Sequence, residues 1–262
     1  VSFKIYHNHI PRTGGSYFLQ SLSQSGAFDH IKKYWRDQAY FDLANEEKVL
    51  ESDFVSGHFG IDPNLICPDI NTVTMVRNPV KRVISHFVSM IRLYKTEPIF
   101  SEDVREDLVK LFDSWLNSDL DMMAKSNFQA RFLTNTLSRK YLDEKGVIGV
   151  PEEYTYENDK PILTLLADSW GIDNKEPTFE DAMGYLSKCI LVGKTEKVPE
   201  FTESFFNLLN INFNLSLINP KIDKKINSRE QADIIYNSLS KQNLSLLISL
   251  NEIDMNLWES LP

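Results

Sequence analysis

The stretch Val1–Phe18 reads VSFKIYHNHI and then PRTGGSYF, and its two halves obey different periodicities. Val1–Ile10 alternates and is β-branched or aromatic at several positions, which is the pattern of a strand. Gly14 and Gly15 break it, and Ser16–Ser25 then carries Phe18, Leu19 and Leu22 at helical spacing. Strand, glycine turn and helix thus follow one another directly. A glycine pair at such a turn lets backbone N–H groups approach an anion, and the helix start adds partial positive charge. Arg12 supplies a guanidinium, and Thr13 and Ser16 supply hydroxyl donors. The set suits a phosphate or sulfate lying across the turn. It is not a Walker A loop, because no glycine stands early enough and no lysine precedes Ser16.

The same alternation of short strands and helices continues outward. Asp53–Ser56 and Asn71–Val76 read as strands, and Lys188–Val192 as a short buried one. Pro79 suits the first turn of a helix, and Val80–Tyr94 then carries Val83, Ile84, Phe87, Met90, Ile91 and Tyr94 on one face. Glu102–Leu116, Lys160–Trp170, Phe179–Leu186 and Pro199–Leu209 read as further helices, with more running through Trp258 at the C-terminal end. Tyr141–Asn158 is polar and reads as an excursion or lid. Ile218–Ser228 reads as a lysine-rich loop. The expectation is a single α/β domain over Val1–Pro262, with a central, mostly parallel sheet flanked by helices.

Bulk properties narrow the function classes. The chain has 262 residues, 42% hydrophobic and 25% charged, which is ordinary for a soluble globular domain. Its net charge of −9 argues against a nucleic-acid partner. Its two cysteines, Cys67 and Cys189, are far apart and have no metal-type spacing, so a reducing, cytoplasmic setting is expected. No apolar run reaches the roughly 18 residues of a membrane span. The start at Val1 without methionine reads as a trimmed chain, whose parent would be a Golgi-lumenal or multidomain protein if an anchor or neighbouring domain preceded it.

A second block, Val76–Phe87 (VRNPVKRVISHF), complements the first loop. Arg77 ends a strand, at the edge where ligands gather in open α/β sheets. Ser85 follows about two helical turns later, so both reach one anion if the helix start faces the site. Lys81 and Arg82 read equally well as solvated surface charges.

Together the two blocks resemble those of sulfotransferases that use 3′-phosphoadenosine 5′-phosphosulfate. Ile10–Phe18 resembles the 5′-phosphosulfate loop in its HIPKTGGTS form, known in bacterial and glycosaminoglycan-type members such as heparan sulfate 2-O-sulfotransferase. Val76–Phe87 resembles their 3′-phosphate strand and helix, R-D/N-P-x-x-R-x-x-S. Asn127–Leu133 (NFQARFL), Leu191–Glu196 (LVGKTE) and Asn251–Trp258 (NEIDMNLW) resemble three further family segments in the same order. The resemblance implies a P-loop-like sulfotransferase fold. It implies that Arg12, Thr13, Gly14, Gly15, Ser16 and Tyr17 hold the 5′-phosphosulfate, and that Arg77 and Ser85 hold the 3′-phosphate. Gln129 and Arg131 are candidates to touch acceptor or donor, with a structural ion pair the equal alternative for Arg131. Lys221, Lys224 and Lys225 resemble the loop that covers the nucleotide. No metal cluster is expected.

Sulfuryl transfer needs an acceptor oxygen aligned behind sulfur, a base for its proton, and cations on the departing oxygen. Among five histidines, His58 in Val55–Gly60 (VSGHFG) is the expected base, at a strand end between Gly57 and Gly60. The segment is also similar to the one that holds the catalytic histidine of heparan sulfate 2-O-sulfotransferase. His86 is the second candidate, while His7 and His9 share one strand face and read as structural. Many family members carry lysine where this chain has Arg12. Arginine keeps the charge and adds two-pronged geometry, but it does not give up a proton near neutral pH. Arg12 is therefore expected to act by electrostatics. Thr195 and Glu196 read as caps for the following helix.

Two other classes fit parts of this pattern: a P-loop-type nucleotide kinase, and a non-catalytic nucleotide-binding module. The absent Walker lysine counts against the first. The acceptor is expected to be a hydroxyl on a saccharide, on another small alcohol, or on a β-hydroxyacyl chain borne by a carrier protein of a polyketide synthase.

Overall fold

The computed structural model describes residues 4–25, 34–36, 51–58, 70–94, 104–119, 122–134, 156–157, 160–161, 177–211 and 226–262. Five strands form one sheet: β1 (Ile5–Asn8), β2 (Tyr34–Arg36), β3 (Phe54–Gly57), β4 (Asn71–Val76) and β7 (Leu191–Lys194). Their order is β2-β3-β1-β4-β7, and every pairing is parallel. The first strand of the chain therefore lies in the centre, with Ile5 opposite both Phe54 and Asn71. Because all five strands run the same way, the residues that follow β1, β3, β4 and β7 emerge along one edge.

Helices cover both faces. Alternation along β4 sends Val73 and Met75 to one side and Val76 to the other. Val73 and Met75 pack with α1 (Gly15–Gln24), through Phe18, Leu19 and Leu22, and with Phe201, Phe205 and Phe206 of a later helix. Val76 and Ile10 pack on the opposite face, against Phe128, Phe132, Ala182, Leu186 and Leu257. A third cluster joins α2 (Pro79–Tyr94) to α3 (Val104–Leu116), with Phe87, Phe112 and Trp115 in mutual ring contact. Two short helices follow, α4 (Met122–Lys125) and α5 (Phe128–Leu133), and then α6 (Phe179–Leu186). A single 3-10 turn at Thr195–Lys197 leads from β7 into α7 (Val198–Leu208). The chain closes with α8 (Ile226–Ser238), α9 (Lys241–Leu250) and α10 (Glu252–Ser260). Among the described residues, no helix is long and apolar enough to cross a membrane.

The α/β architecture with a parallel sheet agrees with the sequence. Three details differ. The edge strand β7 starts at Leu191, not Lys188, and is half-buried; its pairing with Val73–Val76 sets the register, and Ile190 stays exposed. Lys160–Pro161 begins no helix: it forms β6 and pairs antiparallel with Tyr156–Glu157 (β5). Strand β2 leaves no signal in the sequence pattern, since three residues are too few to display alternation. The remainder of the expected helix at 162–170, His30, Cys67 and the lysines at 221, 224 and 225 lie outside the described residues.

Candidate functional site

The first loop turns out of the sheet at His9. Its N–H still bonds the Gly57 carbonyl (3.1 Å), after which Thr13 folds back and bonds Ile10 O through both N–H and Oγ1. Two residues take left-handed backbone, Arg12 at φ 73° and Gly14 at φ 87°. For Gly14 the conformation carries no steric penalty; for Arg12 it does, and neighbouring contacts must hold it. Gly15 is required by space. A Cβ there would stand 2.1 Å from His9 Cδ2, because the His9 ring packs against the helix start. In the first turn of α1, Tyr17 and Phe18 N–H both bond Gly14 O. That leaves the N–H groups of Gly14, Gly15 and Ser16 with no backbone acceptor among the described residues. Thr13 and Gly15 are buried, Arg12, Gly14 and Tyr17 are half-buried, and Ser16 is exposed.

The second block meets this loop directly. Arg12 Nε donates to Ser85 Oγ (3.1 Å), and Arg77 Nη1 donates to the Arg12 carbonyl (3.0 Å). Three of the expected anion ligands are thus in contact, though 73 residues separate Arg12 from Ser85. The contacts also hold the left-handed turn at Arg12. Burial holds the Arg77 guanidinium below its ordinary pKa; among charged neighbours Glu196 and Asp233 oppose that shift and Arg229 adds to it. Among the described residues, its other side-chain N–H groups have no acceptor. A desolvated guanidinium of this kind favours an anionic partner.

Asn78 caps α2, accepting from Lys81 N at 3.2 Å, with Pro79 as the first helical residue. Lys81 is exposed and lies over the Tyr236 ring. Arg82 departs from the expected surface charge, being 0% exposed. It donates to Ala124 O, stacks over Phe128 with its carbon 4.5 Å from the ring centroid, and faces Asp254 electrostatically. The planar cation is accommodated by ring stacking and a carboxylate in place of water.

His58 stands one residue beyond β3, half-buried, beside the loop. Its Nδ1 lies 2.6 Å from His9 O, and its ring centroid lies 4.2 Å from that of His9. A carbonyl oxygen only accepts, so Nδ1 carries the proton in this contact. The neutral ring therefore holds its lone pair on Nε2, the atom a general base uses. His7 stacks on the other side of His9 (5.2 Å) and pairs with Ser56 Oγ through Nδ1. The shared face of His7 and His9 agrees with their spacing. His86 is buried, with its ring stacked on Trp115 of the α2–α3 cluster.

Gln129 has a different task from the one expected. It is 1% exposed, its Oε1 accepts from Arg77 N (2.8 Å), and its Nε2 donates to Arg77 O (2.9 Å). Both ends of its amide are engaged by the backbone of Arg77. Arg131 is half-buried on α5, with Nε donating to Ser126 O.

The remaining segments explain one another. Asn127 Oδ1 accepts from Ile253 N and Asp254 N, capping α10. Asp254 in return accepts from Gln129 N (2.9 Å) and Ala130 N (2.7 Å), capping α5. Asn251 accepts from Asn127 N and donates to Lys125 O and Leu247 O. Burial outweighs these N–H bonds and the Arg82 charge, and it raises the Asp254 carboxyl above its ordinary value. Thr195 and Glu196 are not caps for α7. Thr195 Oγ1 reaches Thr13 O (2.7 Å) and Val76 O (3.2 Å), tying the first loop to the end of β4. Glu196 accepts from Asn78 N and Trp258 Nε1. A hydroxyl and a carboxylate right after a strand read locally as caps, and only the parallel register shows what they meet.

Compared with protein-family models, characterised proteins and solved structures, the chain matches none of them.

Proposed function

We propose that the chain is a sulfotransferase, moving a sulfuryl group from 3′-phosphoadenosine 5′-phosphosulfate to an acceptor hydroxyl. The observation that carries the reading is the Ser85–Arg12–Arg77 contact chain at the carboxyl edge of the sheet. It joins a helix-start anion loop to a second cationic position, as a donor with phosphates on both its 5′ and 3′ sides requires. The order of the sheet, with β1 central and its loop running into α1, supports a P-loop-like fold over one domain.

In this reading the N–H groups of Gly14, Gly15 and Ser16, with Thr13, Tyr17 and Arg12, hold the 5′-phosphosulfate. Arg77 and Ser85 take the 3′-phosphate. The acceptor oxygen attacks sulfur in line and forms the new S–O bond. The bond from sulfur to the bridging phosphate oxygen breaks, and adenosine 3′,5′-bisphosphate leaves. His58 Nε2 receives the acceptor proton, and Arg12 stabilises charge on the departing oxygen without donating a proton.

The test is a thermal-shift titration with adenosine 3′,5′-bisphosphate against ATP–Mg²⁺, because a ligand that binds the native state raises its stability. The bisphosphate is expected to shift the melting temperature more at equal concentration. A clear ATP preference would favour the kinase class and sink this reading.

A further inference from the structure

Arg77 lies one residue past β4, where strand pairing has ended on both sides. Its N–H and C=O would otherwise have no ladder partner, and its φ and ψ would be free to drift. The Gln129 carboxamide fills that role, accepting from one group and donating to the other at 2.8 and 2.9 Å. It acts as one residue's worth of a neighbouring strand. Gln129 is itself fixed from behind, because its main-chain N–H donates to Asp254 Oδ2. Asp254 is 0% exposed and belongs to α10, whose start Asn127 caps.

We infer that Gln129, backed by Asp254, is a positioning residue that aims the Arg77 guanidinium and so sets discrimination for a 3′-phosphorylated nucleotide. The inference rests on the reading of Arg77 as the 3′-phosphate ligand. The two hydrogen bonds fix the peptide units on either side of the Arg77 Cα. Its side chain then leaves the strand in one direction, toward Arg12 O. Without them the cation would still be present, but its donors would no longer be held in a fixed geometry, on which a guanidinium clamp depends.

The test compares dissociation constants for adenosine 3′,5′-bisphosphate and adenosine 5′-monophosphate, which lacks the 3′-phosphate. The wild-type protein should prefer the bisphosphate by about tenfold or more, the worth of a charge-assisted pair. Gln129→Met, similar in size but without the amide, should lose most of that preference, approaching Arg77→Ala, while keeping its monophosphate affinity. A lowered melting temperature with an intact preference would mean a merely structural role and overturn the inference. If Gln129→Met does not fold, Gln129→Glu carries the test. It keeps an acceptor for Arg77 N but sets an oxygen against Arg77 O, so a partial loss is expected and an unchanged preference refutes the idea. A wild-type protein that shows no preference refutes the assignment of Arg77, and this inference with it.

Discussion

The guanidinium of Arg77 donates to the main-chain oxygen of Arg12 at 3.0 Å, so the second cation of the site also braces the loop that carries the first. Each contact in the cluster therefore has two consequences, one for charge and one for backbone shape. Substituting Arg77 by Lys separates them. Lysine keeps the charge but has no planar fork to serve Arg12 O and an anion together. Bisphosphate affinity should fall by about tenfold, and by more in Arg77→Ala, as read by calorimetric titration. Equal affinity in all three proteins would show that Arg77 does not touch the ligand.

Gly15→Ala places a methyl group on the His9 ring, 2.1 Å from its Cδ2. The ring is buried between His7 and His58 and has little room to retreat. The expected cost is about 1–3 kcal/mol in urea unfolding, with loss of the nucleotide-induced thermal shift. Adding His9→Ala should restore part of the stability. If the double variant is as unstable as the sum of the singles, the clash is not the cause.

His58→Ala removes the proposed base and one hydrogen bond to His9 O. Turnover with the sulfated donor should fall by about 10²–10⁴-fold, while bisphosphate binding persists. His58→Ala with undiminished turnover would move the base elsewhere on the sheet edge.

Thr195→Val keeps the shape of the side chain but leaves Thr13 O and Val76 O without their shared donor. A loss of about 1–2 kcal/mol in stability is expected, together with weaker bisphosphate binding, since the carbonyl of Thr13 belongs to the loop proposed to hold the anion. Unfolding curves and titrations that match wild type would show that the hydroxyl ties down nothing.

Asp254 gives the fold a pH dependence of defined sign. Its carboxyl is raised above the ordinary 3.8 by burial, so between 3.8 and the raised value the folded protein holds more proton than the unfolded chain. Its contribution to stability is full below 3.8 and is lost as pH rises through that window. Asp254→Asn cannot titrate. The stability difference between wild type and variant should thus move against wild type as pH increases across the window, measured by urea unfolding at several pH values. A difference that is constant with pH would contradict the raised value.

Much of the frame was legible because periodicity speaks for single elements. Asn71–Val76 and Phe179–Leu186 form as their patterns require, and the glycine turn after the first strand lies where its residues place it. What periodicity does not carry is partnership. Arg82 resembles any helix-surface cation until Phe128 closes over it, and Gln129 resembles a ligand-facing amide until Arg77 takes both of its ends. Thr195 and Glu196 are similar cases. Their roles arise between elements far apart in the chain, and local spacing holds no record of those meetings.

The reciprocal caps of Asn127 and Asp254 bear on when this molecule becomes competent. Arg77 depends on Gln129, and the Gln129 helix start depends on a carboxylate supplied near residue 254. During synthesis, then, all five strands of the sheet and the glycine loop are made before residue 254, but the Gln129 brace on Arg77 is not complete until α10 is available to pack on α5. A translating intermediate stalled before that helix would carry the whole loop and still lack the support behind Gln129 and Arg77.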